Sequence, residues 1–236
     1  LGVTGNFAGS SATLQNNHQG DVKIDYRLSD KDNLMGRWSR SMLETGGSMN
    51  PLALQMTGFT ESPTQSAVIN WNRTFSATIV NEARVAFSRI VINDVTNDWS
   101  GQLGTDGNQK FGIPGGQPVA GLSSIGMGSG LTAPGSTGVF SRTGDNKFIY
   151  YNNLTWQNGK HLIKMGGQLM RYQQNRYYSG NNGVLGVFRY GGGVTGLDYA
   201  DFLLDQLASK GRGSATGTWG HRFWRPALLI QDDFKV

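Results

Sequence analysis

The sequence predicts an all-β fold: the wall of an antiparallel transmembrane β-barrel, with long extracellular loops and one short loop helix. Three observations predict it. First, stretches of strict apolar–polar alternation come in pairs, each pair joined by about two to five residues, as in β-hairpins. Second, the pairs are joined by long segments, residues 43–64, 93–145 and 177–221. A soluble domain rarely holds a structureless loop of about fifty residues, whereas short turns on one side and long loops on the other are the habit of transmembrane barrels. Third, the chain is polar but weakly charged. Of 236 residues 16% are charged, below the usual share of about 25%, and 35 are Gly. Uncharged polar side chains that line a lumen and fill loops produce that balance.

The first hairpin is "DVKIDYRLS" and "LMGRWSRSM", around a turn at 30–33. Val22, Ile24, Tyr26 and Leu28 share one face, with Lys23, Asp25 and Arg27 opposite; Leu34 and Trp38 stand against Arg37 and Ser39. The second is "SAVINWNRTF" and "NEARVAFSR", around Ser76, Ala77 and Thr78. Ala67, Ile69, Trp71 and Phe75 oppose Asn70, Asn72 and Thr74, while Ala83, Val85 and Phe87 oppose Glu82, Arg84 and Ser88. The third is "KFIYYNNLTW" and "HLIKMGGQLMRY", around the Asn158-Gly159 corner. Here Phe148, Tyr150, Leu154 and Trp156 share the apolar face with one polar exception, Asn152. A last strand, "PALLIQDDFKV", alternates weakly. In the long segments, residues 111–130 are rich in Gly and Pro and read as irregular. Residues 195–209, "TGLDYADFLLDQLAS", have helical spacing, with Thr195 or Asp198 as the cap, and "VLGVFRYGG" before them reads as a short strand outside the membrane.

No run of about 18 apolar residues exists, so no helix crosses a membrane; tilted strands of about ten residues suffice. On this reading Ile24, Trp38, Ile69, Trp71, Val85, Phe87, Trp156, Ile163, Met165 and Leu169 face lipid. Lys23, Asp25, Arg27, Arg37, Asn70, Asn72, Glu82, Arg84, Asn153, Lys164 and Gln168 line the lumen. Phe75 and Trp156, just before short turns, sit where an interfacial aromatic girdle belongs. Arg73 falls on the apolar face near a turn, from which it can snorkel to the headgroups. The competing arrangement is a soluble sandwich in which the same aromatics form the core. Seven crossings result, and the turn at 30–33 sends the first strand toward the periplasm. Residues 1–19 then belong to an extracellular loop, and residues 1–236 form a partial barrel domain that needs further strands, since closed barrels have even numbers.

Little in the sequence suits catalysis, and no cofactor or metal is expected. Cysteine is absent, which removes disulfides and thiolate chemistry. His18, His161 and His221 lack metal-ligand spacing. Asp201 and Asp205 lie four apart and read as solvated helix carboxylates, and Asp232 and Asp233 point to opposite faces of a strand. The glycines at 126, 128 and 130 mimic a phosphate loop, but no strand precedes them and no helix follows. The net charge of +5 comes from scattered Lys and Arg, not from a run that would grip nucleic acid.

The stretches "DYRLSDKDNLMGRWSRS", "NRTFSATIVNEARVAFSR", "FGIPG", "LTWQNGKHLIKMGGQLMRYQ", "TGLDYADFLLDQ" and "IQDDFKV", in that order, resemble the barrel of TonB-dependent receptors. The subgroup they resemble is the Oar-like receptors with a carboxypeptidase-regulatory-like domain. The resemblance implies a barrel of about 22 strands in the bacterial outer membrane. It also implies a plug domain and the TonB complex as partners, and import of a scarce solute such as a siderophore, glycan or peptide. This sequence contains neither a plug nor a TonB box. A surface adhesin or binding β-domain without transport is the alternative.

Overall fold

The computed structural model describes residues 5–10, 12–49, 52, 54, 58–96, 106–214 and 217–235. Its elements are β1 (Ala12–Arg27), β2 (Asp32–Met49), β3 (Gly58–Ser76), β4 (Ile79–Thr96), α1 (Gly107–Lys110), β5 (Ser124–Met127), β6 (Phe140–Asn158), β7 (His161–Tyr178), β8 (Val187–Tyr190), α2 (Asp198–Leu203), β9 (Ser209–Gly211) and β10 (Trp219–Phe234). The seven long strands form one antiparallel meander in the order β1-β2-β3-β4-β6-β7-β10. A second sheet of three short strands, β5-β8-β9, is built from the two long loops and includes a parallel β5–β8 pair.

Short turns join the wall strands at one end. Gly159 turns the third hairpin at φ +60°, a left-handed conformation that Gly adopts without strain. In the first, the Ser29 hydroxyl donates to Asp32 at 2.7 Å and accepts the Lys31 N–H at 3.1 Å. Each turn is also tied to its neighbour along the rim: Thr74 N–H donates to the Lys31 carbonyl at 2.8 Å and Gln157 N–H to that of Thr78 at 2.8 Å.

Residues directly opposite across an antiparallel pair share a face, so the register sorts the side chains into rows. One row reads Val22, Trp38, Ala67, Phe87, Phe148, Arg171 and Trp224. The next row on that face, toward the turns, is Ile24, Gly36, Ile69, Val85, Tyr150, Leu169 and Pro226. Two rows further come Leu154, Met165 and Ile230, then Ile79, Trp156 and Ile163. This apolar face is open: Ile24 is 65% exposed, Ile69 61% and Val85 51%. Among the described residues no second layer covers it, which removes the sandwich. The buried apolar side chains Leu122, Leu185, Val187 and Tyr190 lie instead in the small loop sheet and its connections.

Several boundaries differ from those expected. The wall strands are 16 to 19 residues long, not about ten. They absorb the ends of the segments read as loops, including residues 12–19 and 219–221. Beyond the row of Trp38 the apolar face turns polar at Arg40, Gln65 and Arg89, while the other face mixes polar residues with Ile90 and Ile92, so the alternation that marks a strand fades although the pairing continues. Residues 111–130 are not wholly irregular, since they contain β5, and "VLGVFRYGG" contains β8. The loop helix spans six residues rather than fifteen, because Asp205 takes φ +52° and ends it. Residues 97–105, within the long segment 93–145, lie outside the described residues.

The strands β1 and β10 are the two edges of the wall. In hydrocarbon each unpaired N–H or C=O costs on the order of several kcal/mol, so two open edges of about ten residues outweigh a folding stability of roughly 5–15 kcal/mol. Refolded alone into detergent micelles, the 236-residue segment is expected to aggregate through these edges. A compact, heat-modifiable, protease-resistant monomer on an unheated gel would contradict this.

Candidate functional site

The register gives the wall two chemically distinct faces. Lys23, Asp25, Arg27, Arg37, Asn70, Asn72, Glu82, Arg84, Asn153, Lys164 and Gln168 all fall on one face. Ile24, Trp38, Ile69, Trp71, Val85, Phe87, Trp156, Ile163, Met165 and Leu169 all fall on the other. On the polar face the charges pair locally: Lys23 with Asp25 at 2.8 Å, Arg37 with Asp21 at 2.8 Å, Arg84 with Glu82 at 2.6 Å and Lys164 with Asp233 at 3.6 Å. Arg84 also reaches Asn70 at 3.4 Å and lies 5.7 Å from the Tyr151 ring centroid. Such exposed pairs add little stability, and they leave the face polar with both signs of charge side by side.

The sequence reading missed one feature of this face. Val68, Ala86, Ile149 and Met170 form an apolar stretch in the middle of the row that Lys23 and Arg37 begin and Arg225 ends. Its signal was present, since these residues stand in the polar phase of their strands. Arg73, on the apolar face near the turn, pairs with Asp32 at 3.3 Å, and its guanidinium lies 5.1 Å from the Phe75 ring centroid. Asp32 also accepts the Trp71 indole N–H at 3.0 Å, so the charge on the apolar face is neutralised at the turn end. The histidines stay apart. His161 meets Asp232 at 2.7 Å, and among the described residues no cluster of His, Asp and Glu could hold a metal.

At the other end the two long loops fold together as a knob. Leu185 N–H donates to the Thr137 carbonyl at 3.0 Å, and the Ser123 hydroxyl donates to the Leu185 carbonyl at 2.7 Å. Gly183 has φ +60°, and a Cβ there would collide with the Thr137 carbonyl, so only Gly allows this approach. The acids are structural. Asp201 is not solvated as its spacing suggested; it is 1% exposed. It accepts the Thr195 hydroxyl at 2.7 Å and the Thr195 N–H at 2.9 Å. Thr195 therefore serves Asp201 and does not cap α2, whose N-cap is Leu197. Asp198 accepts the Tyr199 N–H at 2.8 Å and also the Ser129 N–H. The glycine-rich turn at 126–130 thus does bind an anion, but the anion is this chain's own Asp198. A strand, β5, does lead into that turn, contrary to expectation.

This is the wall of an outer-membrane β-barrel, with a folded knob at the end of the long loops. The chain belongs to the outer membrane beta barrel domain family, which matches residues 2–236. Its location is the bacterial outer membrane. Comparison with curated proteins finds no match. Among solved structures it is similar to the outer membrane transporter YddB from Escherichia coli, with a TM-score of 0.50 and 8% identity. The match covers 94% of this chain and 26% of that one, so the chain spans about a quarter of that transporter's length. At this identity the likeness speaks for the fold alone.

The knob should respond to acid. Hydrogen bonds from Ser129, then from the Tyr199 N–H, hold the Asp198 carboxyl below its ordinary range. The Thr195 hydroxyl, followed by the N–H groups of Thr195, Val194 and Gly193, does the same for Asp201. A lowered carboxyl stabilises the fold fully above the ordinary value of about 3.9, and that stability is lost as pH falls through the lowered value. Hydrogen-exchange protection in residues 193–206, taken relative to the intrinsic rate at each pH, should therefore be high at neutral pH and fall below about pH 4. Asp201→Ala should show the low protection already at neutral pH. Unchanged protection in both tests would mean that these acids do not hold the knob.

Proposed function

We propose that the chain is part of the barrel wall of a TonB-dependent outer-membrane receptor, of the Oar-like kind, that imports a scarce solute. The observation that carries this reading is the sorting of the two faces. The apolar face meets lipid. The polar face, with its paired charges, lines a water-filled lumen or beds a folded plug. A wide lumen needs many strands, and large transporter barrels of about 22 strands carry a plug in theirs. Seven strands that match about a quarter of a transporter chain suit a barrel of that size. The order and spacing of the resembling stretches add the TonB complex and a plug as partners. Siderophores, glycans and peptides remain the candidate cargo, and the chain takes no catalytic part.

A second reading is a surface binding module. It is favoured by the knob, which exposes Val194, Leu197, Tyr199, Leu203 and Leu204 around α2. Conductance separates the readings. In planar bilayers the full-length protein is expected to conduct weakly until urea loosens a plug, and strongly afterwards. A steady open conductance without urea would mark a passive porin. No conductance under either condition would favour the binding module.

A further inference from the structure

We propose that Arg40, Arg89 and Arg142 bind the phosphate groups of a phosphorylated glycolipid in the outer leaflet of the membrane. The inference rests on the reading that the apolar face meets lipid, and it starts from the row of Trp38, Phe87, Phe148 and Trp224. The Phe87 and Phe148 rings are 5.0 Å apart, and the Arg171 guanidinium lies 4.7 Å from the Trp224 ring centroid. Four aromatics in one row, at the end of the apolar band away from the short turns, form a girdle at the extracellular interface. One step further out on the same face comes a row of different chemistry: Arg40, Gln65, Arg89, Asn146 and Gln173. Arg142 stands two rows beyond, opposite Asn93. The three cations therefore lie at headgroup level on the outside of the barrel.

Their charge is uncompensated. Arg37, Arg73 and Arg84 elsewhere on the wall each pair with a carboxylate. Among the described residues, Arg40, Arg89 and Arg142 have none within ion-pair distance. The Arg89 guanidinium donates to the Asn146 side-chain oxygen at 3.3 Å. The acids of this face at that height, Glu44 and Glu61, stand in the row of Arg142, and Asn93 separates Glu61 from it.

The surface between the cations is hollow. The row between Arg89 and Arg142 carries small or buried side chains, with Val91 beside Gly144. Two clefts result, of about 300 and 240 Å³, and both are lined by Arg89 and Arg142 over a Val91 floor. Arg40 lines the first; Asn175 and Tyr177 line the second. Guanidinium forks match phosphate oxygens two to two, and the amides and phenol offer hydrogen bonds to sugar hydroxyls. Acyl chains from the same molecule would lie on the aromatic girdle just below. A ligand with phosphates, sugar and acyl chains in one molecule fits the whole arrangement, whereas free phosphate fits only the upper part.

The test uses the full-length protein in phosphatidylcholine nanodiscs doped with phosphorylated lipid A or its dephosphorylated form, with bound lipid counted by native mass spectrometry. Phosphorylated lipid A should be retained at least about tenfold more than the dephosphorylated form, and about tenfold more than by the Arg40→Gln/Arg89→Gln/Arg142→Gln variant. Arg84→Gln, on the opposite face, should behave as wild type. If the triple variant fails to insert, Arg142→Gln alone should still lower retention about threefold. Equal retention by wild type and variant, or of the two lipid forms, would overturn the site. Complete displacement by inorganic phosphate would show a site for the free anion and overturn the lipid. Quenching of tryptophan by brominated acyl chains reports separately on the apolar face, so loss of that signal would refute the lipid-facing reading rather than the phosphate site.

Discussion

In hydrocarbon a backbone N–H or C=O without a partner costs several kcal/mol, and the wall is organised by that cost. Each strand must pair along its whole crossing, so seven strands align in an unbroken meander. The pairing fixes the register, and the register fixes which side chains share a face. A slip of one residue in β4 would exchange Ala83 and Val85 for Glu82 and Arg84 on the apolar side. The opposed chemistry of the two faces, the aromatic row and the outer arginines all inherit their positions from this one ladder of hydrogen bonds.

The ladder also sets a height. From the Phe87 row to the Ile79 row is eight residues, about 26 Å along the strand and roughly 20 Å at the usual barrel tilt. That is a thin apolar band, as expected of an outer membrane. The strands continue well past it, with polar side chains where the apolar face would continue and a mixture that includes Ile90 and Ile92 on the other. Their extensions carry the knob, which is stabilised differently. The wall relies on backbone pairing, while the knob has a small core around Leu122, Leu185 and Val187 and two acids that gather loose N–H groups. A single chain thus contains one part built for lipid and one built for water.

The hairpins within the band were legible because one face is apolar and the other is not. Ile69 beside Asn70, or Val85 beside Arg84, declares a strand and its facing at once. The extensions were illegible for the same reason reversed: at Arg40, Gln65 and Arg89 polar residues occupy the phase that the apolar residues hold lower down. The knob was hidden by distance. The parallel pair of β5 and β8 joins residues about sixty positions apart, and nothing local in "SIGM" marks it. Asp201 looked solvated because its partners are backbone groups and a hydroxyl of its own loop, which leave no charge pattern. The partner of Arg73, Asp32, lies on another hairpin, so the alternation of β3 alone does not show the pair.

The most direct test of the central claim is a spin-label scan along β4 in the full-length protein in bilayers. Labels would replace each residue from Glu82 to Phe87 in turn, and access would be read with oxygen and with a water-soluble relaxation agent. Oxygen access should peak at Ala83, Val85 and Phe87, and the water-soluble agent at Glu82, Arg84 and Ala86, with a strict period of two. Uniform access along the strand, or the same oscillation with its phase inverted, would contradict the assignment of the two faces.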